Sequence, residues 1–91
     1  MKLIASKAFT RDAKRFLKKN PQFTKSVKAT LGLLESDAFQ PQLKTHKLKG
    51  KLKDSWACSV GYDLRIVFEI VGDEDDEAIL LQTIGTHDEV Y

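Results

Sequence analysis

Two histidines, His46 and His87, are the only imidazoles in this 91-residue chain. An imidazole titrates near neutrality, with an ordinary pKa of about 6.5, so either ring is suited to give or take a proton in a reaction. Each, taken singly, reads as a surface or turn residue rather than a catalyst, and two histidines without a third ligand make a poor zinc site. Asp63 and Arg65 stand two apart in a segment that reads as a strand, which puts them on one face. Arg65 is the only Lys or Arg after Lys53. It is either a salt-bridge partner among acids or a bidentate holder of phosphate. Lys44, Lys47, Lys49, Lys51 and Lys53 fall within ten residues around His46. Their compact charges can meet phosphates and make binding salt-dependent. From Lys47 onward they alternate with Leu48, Gly50 and Leu52, a pattern that an edge strand guarded by lysines would share. Tyr62 and Tyr91 each read as a cap on the core or as a platform on which a base stacks.

The charge distribution frames these candidates. Residues 1–53 hold fourteen Lys/Arg against three Asp/Glu, and residues 54–91 hold one against ten. Either the basic half meets a polyanion such as nucleic acid, or the two halves pair with each other or are merely solvated. A content of 42% hydrophobic and 31% charged residues is that of an ordinary globular protein. At this length the expectation is one domain spanning residues 1–91, with a thin core. No apolar run approaches the ~20 residues that cross a bilayer, and the start, Met1 to Lys7, is too short in apolar residues for a signal peptide. The single cysteine, Cys58, excludes an internal disulfide and any cysteine-rich zinc or iron–sulfur site. It suits a reducing cytoplasm, with no membrane partner expected.

The elements that must position the candidates follow from periodicity. Lys2 to Ala5 reads as a short strand that needs a partner. Thr10 is the expected cap of a first helix with Ala13, Phe16 and Leu17 on its apolar side. Asn20-Pro21 stops that helix and starts a second, with Phe23, Val27, Leu31 and Leu34 facing inward and an end near Ser36-Asp37. From Phe39 to Asp54 the pattern is irregular, broken by Pro41 and Gly50. Trp56, Cys58 and Val60 alternate as a strand, which makes Cys58 a buried thiol rather than a nucleophile. Gly61-Tyr62-Asp63 turns the chain into a second strand, where Leu64, Ile66, Phe68 and Ile70 face inward and Asp63, Arg65, Val67 and Glu69 are expected on the open face. The acidic run from Asp73 to Glu77 lacks the spacing of a calcium loop and reads as a solvated hairpin tip. Ala78 to Ile84 is the last strand, and Gly85 to Tyr91 a tail. The fold class is α+β: an N-terminal strand, an α-helical hairpin, then a mainly antiparallel sheet.

With these segments in order, the sequence resembles the RelE/ParE superfamily of bacterial toxin–antitoxin toxins, and within it the RelE and YafQ-like mRNA interferases. The carriers are His46-Lys47-Leu48-Lys49-Gly50, Trp56-Ala57-Cys58, the segment from Gly61 through Asp63 and Arg65 to Phe68, and the ending Ile84-Gly85-Thr86-His87-Asp88-Glu89-Val90-Tyr91. The resemblance implies a compact RelE-like microbial ribonuclease fold that cuts translated mRNA in the ribosomal A site. It also implies a cognate antitoxin that holds the toxin inactive; the toxin alone is expected to be a monomer and the complex a larger assembly. His46, Asp63 and His87 match positions that YafQ-like toxins use for catalysis, Arg65 matches the strand arginine of RelE, and Tyr91 matches a C-terminal aromatic near the scissile nucleotide. Lys44, Lys47, Lys49, Lys51 and Lys53 are the expected RNA- or ribosome-binding residues, and no metal or cofactor is called for. The sequence departs from the YafQ pattern at Ser59, where a histidine is usual, at Leu64, where an aromatic is usual, and at Thr83, beside Gln82, where an arginine precedes Gly-Thr-His. Two other readings stand beside the nuclease: a non-nucleolytic inhibitor of DNA gyrase, as in the ParE branch, and an inactive relative that only binds antitoxin.

Overall fold

A computed structural model describes residues 1–50 and 54–90 of the chain. The elements are β1 (Lys2–Ala5), α1 (Lys7–Lys19), α2 (Thr24–Ser36), β2 (His46–Lys47), β3 (Trp56–Val60), β4 (Leu64–Val71), β5 (Ala78–Thr86) and a short α3 (His87–Val90), with 3-10 turns at Pro21–Phe23 and Pro41–Leu43. Five strands make one sheet in the order β1-β5-β4-β3-β2. The short β1 finds its partner in β5, parallel and in register from Lys2 with Ala78 to Ala5 with Leu81, while the other neighbours are antiparallel. The α+β architecture expected from the sequence is the one observed.

Helix α1 starts four residues earlier than Thr10 would have it, because Ser6 is the cap: its Oγ accepts from the Phe9 N–H at 3.0 Å. The earlier start winds Phe9 into the helix, on the same face as Ala13 and Phe16, and buries it. Lys18 and Lys19 occupy the last turn, where the helix dipole favours cations. Asn20 closes α1 rather than opening α2, since its amide Nδ2 donates to the Phe16 carbonyl at 3.0 Å. Pro21 then begins a 3-10 turn, and α2 follows from Thr24 and ends at Ser36, as its pattern indicates.

Both helices lie on one sheet face. Leu34 and Val27 of α2 and Phe9 of α1 meet Cys58, Val60, Leu64, Ile66, Phe68, Ile79, Leu81 and Ile84 in a single core. Burying each large apolar side chain there contributes about 1.5–3 kcal/mol. Two segments are more ordered than their sequences suggest. The stretch from Phe39 to Asp54 contains the edge strand β2, whose His46 and Lys47 pair with Ala57 and Trp56. The tail is not a loop: β5 runs on to Thr86, and His87–Val90 forms a helical turn. The acidic residues from Asp73 to Glu77 are exposed at the β4–β5 tip, as expected. Among the described residues, no helix is long and apolar enough to cross a membrane.

Candidate functional site

The β4–β5 ladder sets the corner where three of the candidates meet. Its last pair is Leu64 with Thr86. One step further, the His87 N–H donates to the Asp63 carbonyl at 3.0 Å, so the start of α3 is tied to the β3–β4 turn. Asp63 therefore lies in that turn, not on the strand face as its spacing suggests, because β4 begins only at Leu64. Gly61 makes the turn possible, with φ at 66°, in the left-handed region. Arg65 folds back over the same turn: its Nη1 donates to the carbonyls of Tyr62 and Leu64, each at 3.1 Å. Two carbonyl dipoles thus fix the guanidinium and add local negative potential around it. The His87 side chain is 53% exposed, with Nδ1 3.6 Å from a carboxylate oxygen of Asp88. Asp63, Arg65 and His87 form one solvent-facing cluster held by backbone.

The open-face expectation holds for part of β4 only. Arg65 and Glu69 are half-buried, but Val67 is 1% exposed. Val67 pairs with the fully buried Ala57. Beside that row, Ser55 donates to Gln82 Oε1 at 2.7 Å, and Gln82 donates to Glu69 Oε2 at 3.2 Å. The pairing of β4 with β5 jumps from Val67–Thr83 to Phe68–Leu81, which makes Gln82 the extra residue of a β-bulge. The face is a packed, partly polar surface because that trio closes the row next to Val67.

His46 stands elsewhere. Its strand is the far edge of the sheet, two strands from β4, and its Nδ1 lies 3.1 Å from the Lys44 carbonyl. Register puts His46 on the same face as Ala57 and Val67, with Ser59, Arg65 and Gly85 in the adjacent row. Neighbouring strands lie about 4.8 Å apart, so His46 is separated from the Arg65 strand by about 10 Å of sheet. Lys44, Lys47 and Lys49 are exposed. Lys47 occupies the edge strand, with Nζ 5.7 Å from the Trp56 ring centroid, which suits edge protection and cation–π contact. Among the described residues of this segment the strand covers His46 and Lys47, and the Leu48 N–H still donates to the Ser55 carbonyl at 2.9 Å. Lys51, Lys53 and Tyr91 lie outside the described residues. Tyr62 does not cap the core, being 97% exposed. Cys58 is buried as expected, and desolvation pushes its thiol up to about 12.

Sequence reasoning gave no structural role to Glu89, Gly85 or Thr83, which pack and bond around the end of β5. In Thr86-His87-Asp88-Glu89 the Glu89 Oε1 accepts from the Thr86 N–H at 2.8 Å, the reach-back half of a capping box. That bond, with a further one to the Thr86 hydroxyl, keeps the Glu89 carboxyl below its usual range. The signal was the Thr-x-x-Glu spacing at the end of a strand. Gly85 lets α3 fold onto β5, because a Cβ there would come within 3.2 Å of both Glu89 Cβ and Val90 Cγ1. Thr83 Oγ1 donates to Asp12 at 2.8 Å and docks α1 against β5; this bond is the first cause of the lowered Asp12 pKa. Between α1 and α3 runs a groove of about 470 Å³ whose walls include Arg15, Lys19, Asp12 and Glu89. Its two carboxylates are already hydrogen-bonded, to Thr83 and Thr86. Among the described residues no group of three or more His, Cys, Asp or Glu side chains converges as metal ligands would.

A helical hairpin on a five-stranded, mostly antiparallel sheet is also the fold of solved bacterial toxins. The whole chain, residues 1–91, matches the family described as the bacterial toxin of type II toxin–antitoxin systems, YafQ, and the chain belongs to that family. Solved structures agree. A metal-bound toxin from Helicobacter pylori is 33% identical, with 100% of this chain and 99% of that one aligned at a TM-score of 0.76. YafQ from Escherichia coli is similar in fold at 19% identity, covering 98% of this chain and 96% of that one with a TM-score of 0.80. Its complex with DinJ gives 20% identity, 98% and 96% coverage, and a TM-score of 0.77. No curated protein sequence matches significantly.

Proposed function

We propose that this toxin is a ribosome-dependent mRNA endoribonuclease whose cleavage is carried by the corner of Asp63, Arg65 and His87. The observation that carries the reading is the bond from the His87 N–H to the Asp63 carbonyl, with the Arg65 guanidinium bound to the same turn. It gathers a proton-transfer group, a carboxylate and a fixed cation in one accessible place.

The reaction is attack of a ribose 2′-oxygen on its own adjacent phosphorus. A bond from the 2′-oxygen to phosphorus forms, the bond to the 5′-oxygen breaks, and the products are a 2′,3′-cyclic phosphate and a 5′-hydroxyl. His87 protonates the departing 5′-oxygen. Asp63 or His46 takes the proton from the 2′-hydroxyl. General acid–base assistance of this kind is worth typically 10² to 10⁴-fold. Arg65, with help from Lys49 or Lys51, stabilises the charge that builds on the phosphorane, and Tyr91 orients a base by stacking. The ribosome supplies orientation by presenting the A-site codon. The exposed lysines from Lys44 onward contact ribosomal or messenger phosphates. A cognate antitoxin restrains the activity, a reading supported by the family and by the complex of YafQ with DinJ.

Primer extension on an mRNA incubated with purified protein, with and without translating ribosomes, tests this. Cuts at codon positions only when ribosomes are present are expected. Cuts in both conditions would make the protein a free ribonuclease. Growth arrest with no cuts in either would overturn the nuclease and favour a gyrase-type inhibitor.

A further inference from the structure

Among the described residues Tyr62 is the most exposed large apolar side chain, 97% accessible at the tip of the β3–β4 turn. The turn beneath it is tied by hydrogen bonds on both sides. Val60 pairs with Leu64 across its base, Gly61 takes the left-handed conformation, and the bonds to its next two carbonyls come from the candidate site itself. The Tyr62 carbonyl accepts from Arg65 Nη1 at 3.1 Å, and the neighbouring Asp63 carbonyl accepts from the His87 N–H at 3.0 Å. An aromatic ring therefore stands in water at the tip of a turn whose carbonyls accept from Arg65 Nη1 and from the His87 backbone N–H.

We infer that Tyr62 is a substrate-positioning residue that stacks on a nucleobase of the RNA next to the scissile phosphate; this rests on the nuclease reading above. The phenol carries no charge for a phosphate and no apolar neighbours to shield it. What it offers is a π-face, which any base can meet. A phosphate held by the Arg65 guanidinium brings its attached nucleoside alongside the Tyr62 ring, because the ring grows from the residue whose carbonyl the guanidinium grips. The hydrogen bonds that tie the turn reduce the ordering cost of that contact, and a tyrosine has only two side-chain torsions to fix. The ring thus selects for position along the strand and tolerates several base identities.

The experiment compares wild type, Tyr62→Ala, Tyr62→Phe and His87→Ala by quantitative primer extension on programmed ribosomes. Affinity is measured in parallel for ribosomes carrying a 2′-O-methyl A-site codon that cannot be cut. Tyr62→Ala should lower cleavage efficiency by roughly ten- to a hundredfold, the range of one lost base stack. It should also weaken binding to the 2′-O-methyl complex and blur the position of the cuts, while Tyr62→Phe recovers most of the loss. Wild-type cleavage and binding by Tyr62→Ala, with His87→Ala inactive, would overturn the stacking role and leave the nuclease standing. Loss of antitoxin affinity alone, with cleavage unchanged, would assign the ring to the antitoxin instead. If wild type and His87→Ala alike cut nothing, the nuclease reading falls and this role falls with it.

Discussion

The amide of His87 donates to the carbonyl of Asp63 across 3.0 Å, one step beyond the last ladder pair of β4 and β5, Leu64 with Thr86. The histidine of the chain's ending is thereby placed by the sheet and not by a free tail. Its backbone is tied to the β3–β4 turn while its half-exposed ring is available to a large substrate.

His87→Ala should abolish toxicity and cleavage while leaving the fold intact. The bond that fixes this corner uses the backbone, which alanine keeps, and surface substitutions of this kind change stability by about 0.5 kcal/mol or less. Growth arrest, primer extension and a thermal melt check it together. An inactive variant with a lowered melting temperature would mean that the ring is structural.

Glu89→Ala should reduce cleavage without touching the substrate, because it removes the bond that caps α3 on the Thr86 N–H. Glu89→Gln keeps an acceptor and should lose less. The Thr86 N–H holds the Glu89 carboxyl below its ordinary value of about 4.3. A depressed folded pKa means that the tether is complete above the ordinary value and is released only as pH falls through the lowered one. A pH titration of the Thr86 amide and Glu89 carboxyl resonances by NMR reads this directly. A Glu89 carboxyl that titrates at its ordinary value would remove the tether from the account.

Thr83→Val should destabilise the fold by about 1 kcal/mol, the net worth of a hydrogen bond to a partly solvated carboxylate. The bond to Asp12 is the largest reason that its carboxyl sits below its ordinary value, with Arg11 and Arg15 helping. The sign follows from the depressed pKa: the stabilisation is present at neutral pH and disappears as acid protonates Asp12. Urea unfolding of both proteins at neutral pH and in acid below the ordinary carboxylate range should show a gap that narrows as pH falls. An equal gap at both values would point to packing by the Thr83 hydroxyl position instead.

The contrast between what was legible in the sequence and what was not has a physical basis. Alternation in Leu64 to Ile70 and helical spacing in Phe23 to Leu34 are repeated signals, and they gave the strands, the helical hairpin and most of the core. Single-residue events were harder. Ser6 and Thr10 are both good caps, and only the burial of Phe9 decides between them. The bulge at Gln82 carries no glycine or proline to announce it, so its effect on the Val67 face could not be read from alternation. The pairing of His87 with Asp63 depends on hairpin register, which a local pattern leaves open. His46 was singled out with His87 as one of the chain's two imidazoles, and the sheet puts it on the opposite edge strand from β1, two strands away from β4.

Cys58 provides the last prediction. It is fully buried beneath the helices, and desolvation raises its thiol to about 12, with Ile66 and Arg65 opposing that rise only weakly. In the unfolded chain a thiol ionises near about 8.5. Between these two values the unfolded state loses a proton that the folded state keeps, so stability must fall as pH rises. From about pH 8 to pH 10 the loss amounts to about 2 kcal/mol from this group alone. Urea unfolding at the two pH values in wild type and Cys58→Ala isolates it, since other titrating groups are common to both proteins. The alanine variant should lose about 2 kcal/mol less over that interval, and thiol reagents should label wild type only as fast as it unfolds. Rapid labelling of the folded protein, or equal pH dependence in the two, would mean that the β3 thiol is reached by solvent without unfolding.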